Sequence, residues 1–276
     1  MIDHRSVLIT GCSSGIGRHV AAGLQERGYR VFATARKQAD VQKLLDLGFE
    51  STQLDLSNPA SIHSAVEYIL EKTHGSLYGL FNNGAYGQPA AVEDLSRKAL
   101  RELFEVNLFG TQELTNLVIP VMRRQGYGRI IQNSSVLGFV TLKYRGAYNA
   151  SKFALEALSD TMRLELRGSG IHISLIEPGP IQSEFHKNSY KAYFRNVDPD
   201  TSHFRKLYRD MESRIQDKEP VMPFTLGPEA VLKKVIHALE SSHPRIRYYV
   251  TFPTYLFAYL KRVLPARWMD IILNQI

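Results

Sequence analysis

The chain has 276 residues, 44% hydrophobic and 22% charged, with a formal net charge of +7. That length and apolar content suffice for a full core, exclude wholesale disorder, and fit one α/β domain over 1–276 better than two small ones. The basic excess suits an anionic ligand or surface, but Lys and Arg are scattered, without zinc-finger spacing or an aromatic RNA-binding box, so neither nucleic acid nor a bound metal is expected.

The first strand-like run, 6–10, follows Met1-Ile2-Asp3-His4-Arg5 directly, which leaves no room for a signal peptide. Helix-period spacing over 15–27 ends at Gly28, a good C-terminal stop. A strand at 29–34, a helix at 41–47 and a strand at 50–55 follow, then a helix at 59–72 opened by Pro59. The pattern continues with a strand at 77–82, one long or two abutting helices over 96–124, a strand at 129–134, a helix at 148–167 and a strand at 171–176. Strands alternating with helices imply right-handed βαβ crossovers, hence a Rossmann-like, doubly wound, mainly parallel sheet with helices on both faces. Ligands in such sheets bind at the carboxyl ends of the strands.

Beyond Pro180 the rhythm changes. The segment 184–220 is aromatic and charged, with Phe204, Leu207, Tyr208, Met211 and Ile215 at helical spacing, and is expected to form a C-terminal cap or lid over the substrate. A helix at 228–240 and a last strand at 248–251 precede an apolar tail, 253–276, interspersed with Lys261, Arg262 and Arg267. The tail either packs over the site or a neighbouring subunit, or rests weakly on a membrane surface with its cations at the headgroups. No apolar run reaches the ~18 residues of a spanning helix. The single cysteine, Cys12, excludes an internal disulfide and points to a reducing, cytoplasmic setting.

Three motifs carry chemistry. Thr10-Gly11-Cys12-Ser13-Ser14-Gly15-Ile16-Gly17 joins the first strand to the first helix. Its glycines permit a tight turn, and the helix N-terminus offers free N–H groups to a pyrophosphate. After the second strand the chain reads Thr34-Ala35-Arg36-Lys37, with no acid before Asp40. A cation there suits a 2′-phosphate, so NADP(H) is expected over NAD(H). Third, Tyr148 and Lys152 share a helix face at i,i+4. An ammonium about 4 Å away at effective dielectric ~20 supplies roughly the ~4 kcal/mol that brings a phenol near neutrality. Ser135 lies just past a strand, and Asn107 sits within an apolar helical face, where a buried amide needs a partner.

With these residues in this order, plus Asp55, Asn82-Asn83 and Pro178-Gly179, residues 5–183 resemble the short-chain dehydrogenase/reductase family. The run from Ser135 through the tail looks most like its bacterial NADP-dependent aldehyde reductases, and more loosely like the steroid- and retinol-acting branch. The resemblance implies that Tyr148 exchanges a proton with the carbonyl oxygen and that Ser135 orients that oxygen. Lys152 would hold the nicotinamide ribose and lower the Tyr148 pKa, while Asn107 supports a water relay to Lys152. On the cofactor side it implies Gly11, Ser13, Ser14, Gly15, Ile16 and Gly17 at the pyrophosphate and Arg36 with Ser13 at the 2′-phosphate. Asp55 and Leu56 would face the adenine, Asn82 and Ala85 the adenosine ribose, and Pro178, Gly179, Ile181 and Ser183 the nicotinamide. Two departures stand out: Gly84-Ala85 replaces Ala-Gly, and Ser183 replaces Thr. Tyr86, Leu137 and Phe185 are expected to line an apolar pocket for an aldehyde or ketone. A dimer or tetramer is expected through 102–123 and 153–166. A hydroxysteroid, retinol-type or 3-oxoacyl enzyme, and a non-catalytic dinucleotide sensor, are the alternatives.

Overall fold

A computed structural model describes residues 5–216 and 223–276. Seven strands form the sheet: β1 (Ser6–Ile9), β2 (Arg30–Ala35), β3 (Glu50–Gln53), β4 (Gly79–Asn82), β5 (Gly128–Asn133), β6 (Ile171–Glu177) and β7 (Arg247–Tyr249). They run in the order β3-β2-β1-β4-β5-β6-β7, and every pair is parallel. The order reverses between β1 and β4, where an open sheet leaves a crevice at its carboxyl edge.

The twofold side-chain period sorts the core into two layers. Val7, Ile9, Phe81 and Ile131 face α1 (Gly15–Glu26) and α9 (Glu229–Glu240), meeting Val20, Leu24, Val235 and Leu239. Their neighbours Leu8, Leu80 and Ile130 face the other way, toward Ile62, Leu114, Val118 and Met162. Those residues come from α3 (Pro59–Lys72), α5 (Thr111–Gln125) and α6 (Gly146–Glu165). Helix α2 (Gln38–Asp46) lies on the β2–β3 side, where Val41 and Leu44 join the first layer. Asn58 starts α3 by accepting from the Ala60 and Ser61 N–H groups at 3.0 and 3.4 Å, with Pro59 at the first helical position.

The region read as one long or two abutting helices is a single path with a defect. Helix α4 (Arg97–Phe104) passes through a π-helical turn, Glu105–Gly110, into α5. Such a turn shifts the following residues around the helix and is often found at functional sites. The last strand lies at Arg247–Tyr249 rather than 248–251, because Thr251 already stands as the cap position of α10 (Phe252–Val263).

The segment after Pro180 forms α7 (Phe185–Asn196) and α8 (Arg205–Gln216); residues 217–220 lie outside the described residues, as do Met1 to His4. Two buried tyrosines anchor it. Tyr208 donates to Asp94 Oδ2 at 2.5 Å while accepting from the Ala91 N–H at 2.8 Å. Tyr193 donates to Glu212 Oε1 at 3.0 Å. Phe204, Leu207 and Met211 pack around them, so the helical aromatic stripe is largely this segment's own core.

The tail is a pair of helices, α10 and α11 (Ala266–Asn274). Thr254, Ala258 and Met269 turn inward, whereas Phe252, Tyr259, Trp268 and Ile271 are exposed. Lys261 donates to the Phe139 carbonyl, and Lys143 Nζ to the Asn274 carbonyl at 2.9 Å, which ties the pair to the loop after β5. Among the described residues no helix is long and apolar enough to cross a membrane, and no cluster of three or more potential ligands is placed to hold a metal.

Candidate active site

The ends of β1, β4 and β5 are laced together by short polar side chains. Thr10 Oγ1 accepts from the Asn83 and Gly84 N–H groups at 2.9 and 2.8 Å. Asn83 Nδ2 donates back to the Thr10 carbonyl at 2.9 Å, and Asn133 Nδ2 donates to Asn83 Oδ1 at 3.0 Å. Asn83 was named in the sequence only as part of the Asn82-Asn83 pair, without a role; its amide reaches the turn. The buried Asn82 amide turns the other way and donates to Thr115 Oγ1 at 2.9 Å, which ties the end of β4 to α5.

The turn from Gly11 to Gly17 is shaped by what a side chain would strike. Gly11 has φ +72°, and a Cβ there would come within 2.8 Å of Gly84 Cα. At Gly17 a Cβ would lie 2.4 Å from the Gly11 carbonyl oxygen. Gly15, at φ +57°, brings the turn against Ser183, whose Cβ would be 3.0 Å away. Helix α1 begins at Gly15; among the described residues no side-chain bond from Ser14 caps it, and its first turn holds no acid. These N–H groups and the positive helix end form a cradle that fits a pyrophosphate. Ser13, Ser14 and Ile16 border it. Cys12 is buried, its thiol donating to the Ile9 carbonyl at 3.3 Å and pushed up to about 12 by desolvation, so it is chemically quiet.

Arg36 is exposed at the end of β2, its carbonyl held by Gln53 Nε2 at 2.9 Å. Asp40 is occupied by Lys43 at 3.0 Å. Asp55 Oδ1 accepts from the Ser57 N–H and hydroxyl at 2.9 and 2.7 Å, which folds the loop that carries Leu56. Ala85 follows Gly84 at the switch point between β1 and β4.

Tyr148 lies in the first turn of α6 with 9% of its surface exposed. Its ring meets Phe185 edge-on at 5.3 Å. Desolvation pushes the phenol up to about 12, against the pull of the neighbouring Ser135 hydroxyl. Lys152 Nζ stands 5.7 Å from the Tyr148 ring centre and donates to the Asn133 carbonyl at 2.7 Å. Burial lowers its own pKa to about 8, with Glu156 resisting the fall. Low polarity costs the ionised phenol more than the Ser135 hydrogen bond returns, so the phenol holds its proton here.

Asn107 is the buried amide in the π turn. It accepts from the Tyr86 N–H at 3.1 Å and donates to the Tyr86 carbonyl at 2.9 Å and to Ser151 Oγ at 3.3 Å. Both side-chain donors are engaged, so the amide fixes the loop after β4.

Ser135 Oγ accepts from the Leu137 N–H at 3.1 Å, and the Val136 N–H donates to the Pro178 carbonyl at 2.8 Å, which joins the loops after β5 and β6. Gly179 passes so near Thr251 that a Cβ would lie 2.2 Å from its hydroxyl oxygen. Ile181 is buried and bridges to Leu226. Ser183 Oγ accepts from the Phe185 N–H at 3.4 Å. Sequence reasoning also missed two buried carboxyls, Glu156 and Glu177, behind Lys152. The available signals were an acid ending an apolar strand before Pro178-Gly179 and another one helical turn past Lys152.

A protonated phenol beside a hydroxyl and backed by a cation can donate a proton to an oxygen bound between Tyr148 and Ser135. A family model described as short chain dehydrogenase matches residues 5–193. An oxidoreductase of Escherichia coli K12, "Uncharacterized oxidoreductase YbbO", is 42% identical over 99% of this chain and 95% of its own length. Human "Retinol dehydrogenase 8" is 32% identical over 88% of this chain and 80% of its own. The crystal structure of a short-chain dehydrogenase from Streptomyces avermitilis superposes with a TM-score of 0.80 at 25% identity, covering 100% of this chain and 98% of that one. With a match that spans the sheet, the phosphate turn and the Tyr148–Lys152 helix, the chain belongs to the short-chain dehydrogenases.

Proposed function

We propose that this dehydrogenase is an NADP(H)-dependent carbonyl reductase that converts aldehydes or ketones to alcohols. The observation that carries the reading is Tyr148, a buried phenol that stays protonated at neutral pH beside the Ser135 hydroxyl. When bound, NADPH supplies the hydride that reaches the carbonyl carbon. Tyr148 gives its proton to the carbonyl oxygen, and Ser135 holds that oxygen in place. Lys152, a cation below about pH 8, stands behind the phenol and favours the phenolate left after transfer. Asn107 supports the loop at Tyr86. Gly11, Ser13, Ser14, Gly15, Ile16 and Gly17 would hold the pyrophosphate, and Asp55, Leu56 and Ala85 the adenosine end. Pro178, Gly179, Ile181 and Ser183 would flank the nicotinamide. A pure dinucleotide sensor has no use for a buried proton donor.

Tyr86, Leu137 and Phe185 favour an apolar carbonyl substrate, with α7 and α8 as its lid. A retinol-type or hydroxysteroid substrate is the second reading, favoured by the retinol dehydrogenase relative. Turnover of a panel of aldehydes, ketosteroids and retinal with NADPH separates the two. A cytoplasmic homodimer or homotetramer fits exposed Phe109, Leu158 and Leu164 on the π turn and α6.

The cofactor preference rests on Arg36. Arg36→Asp removes a charge-assisted bond to the 2′-phosphate and adds repulsion; at about 1.5–3 kcal/mol for such a bond, KM for NADPH rises roughly 10- to 100-fold. KM for NADH stays level or falls. A wild type that prefers NADH, or a variant with unchanged KM for NADPH, removes the preference. The exposed aromatic residues of α10 and α11 suit an anionic lipid interface. The protein is expected to co-float with anionic liposomes, and wholly unbound protein ends that reading.

A further inference from the structure

Behind Lys152 lies a buried group of charges that the proposed proton transfer does not use. Glu156 stands one helical turn past Lys152 on α6, and Glu177 ends β6 fully buried. Arg247, from β7 at the sheet edge, reaches all the acids of this group: Nη2 lies 3.0 Å from Glu156 Oε2 and 2.6 Å from Asp160 Oδ2, and Nε lies 3.0 Å from Glu177 Oε1. We infer that Glu156, gripped by Arg247, is a positioning residue for Lys152 that keeps it a cation behind Tyr148.

The surroundings select this arrangement. An isolated buried lysine sheds its proton, because desolvation penalises the charged form. Lys152 is 3% exposed, and among the described residues its hydrogen bond is to a neutral carbonyl, at Asn133. The counter-charge must come from farther away, and Glu156 is the acid on the same helix face. Two buried carboxylates side by side cannot both remain ionised cheaply. Burial and the Glu156 charge push the Glu177 carboxyl far above the usual carboxylate range, and among the described residues neither of its oxygens has a well-aligned donor. With Glu177 neutral, Arg247 and Lys152 face the anions Glu156 and Asp160, and Arg163 adds a further cation at Asp160, 3.3 Å from its Oδ1. Lys261, from α10, faces Glu156 from the far side, pinned at the Phe139 carbonyl and 4.9 Å over the Phe153 ring.

The same group touches the Ser135 loop. A Cβ on Gly138 would come within 2.6 Å of Ser134 Oγ and 3.2 Å of Glu156 Oε1, so Glu156 packs directly under that loop. Lys152 holds Asn133, the strand residue from which the loop leaves, and Pro178, next to Glu177, holds Val136. One charge cluster therefore borders both members of the proton-donating pair.

The role of Lys152 in turnover rests on the function proposed above, so the primary readout is its titration in the ligand-free protein. Lysine labelled at Cε is followed by NMR against pH, with Lys152→Arg to assign the signal. The wild-type midpoint is expected near 8. Glu156→Gln removes the counter-charge and lowers that midpoint by about one pH unit or more. Glu156→Asp and Glu177→Gln keep the wild-type midpoint, the first because charge is retained and the second because a neutral group replaces a neutral group. The basic limb of kcat/KM shifts down with the Glu156→Gln midpoint. Should that variant not fold, Glu156→Met, close in volume, replaces it in the same comparison. A folded Gln or Met variant with the wild-type midpoint overturns the inference. So does a Glu177→Gln variant that shifts as far as Glu156→Gln. If the titrations come out as expected while no carbonyl is reduced, the proposed reaction fails and the positioning role stands.

Discussion

Tyr148→Phe is expected to lower kcat for carbonyl reduction by about 10²- to 10⁴-fold, the span of a lost general acid. The ring keeps its edge-on packing against Phe185, and the Ser135 hydroxyl keeps its bond from the Leu137 N–H. The one bond lost is that between the Tyr148 and Ser135 hydroxyls, so stability falls by about 1 kcal/mol. NADPH affinity, read by fluorescence titration, is retained, and the loss falls on the single-turnover rate. A decrease smaller than tenfold would remove Tyr148 as the donor. The pH profile carries a second signature. With its pKa pushed up to about 12, the phenol keeps its proton across the neutral range. The lysine, lowered to about 8, loses its charge as pH rises through that value. The basic limb of the wild-type rate therefore belongs to Lys152, and activity falls above pH 8 rather than above 10.

Burial divides what the sequence revealed from what it concealed. The phosphate turn was legible because glycine positions, a strand end and a helix start coincide within eight residues. Tyr148 and Lys152 were legible because a helix places i and i+4 on one face. The direction of the phenol's pKa was not, since desolvation depends on Phe185 and the layers above it, which come from distant parts of the chain. Asn82 and Asn83 show another limit. Alternation along a strand sends neighbours to opposite faces, but nothing in the two letters says which face holds the site. Asn107 announced that it needed a partner without naming Tyr86, because the π turn that aims it leaves no mark in the apolar spacing. Arg247 and Glu177 are separated by 70 positions in the chain, so only the β6–β7 pairing brings them together.

Gly110→Ala tests the neglected side of the cofactor crevice, and two effects of opposite sign compete there. Gly110 has ordinary helical angles, φ −65° and ψ −34°, so alanine gains about 1 kcal/mol of helix propensity. Against this, the new Cβ would lie 1.8 Å from the Leu56 carbonyl oxygen and 2.7 Å from its carbon. The obstacle is backbone, and the loop has little freedom to yield. Asp55 is bound to Ser57 and Ser61, and its carbonyl accepts from the Asn58 N–H at 3.0 Å. Overpacking against a fixed neighbour costs about 3 kcal/mol or more, which outweighs the propensity gain. At roughly 2–4 °C per kcal/mol, Tm is expected to fall by about 5–10 °C. The displaced Asp55–Leu56 loop should also weaken NADPH binding. Gly126→Ala is the control: its φ is +76°, but a Cβ there meets nothing within 4 Å among the described residues. It costs about 1–2 kcal/mol of backbone strain and leaves NADPH affinity alone. Differential scanning calorimetry with and without NADPH reads both variants, and a Gly110→Ala protein that melts at the wild-type temperature would show that the π turn and the Leu56 loop are not in contact as described.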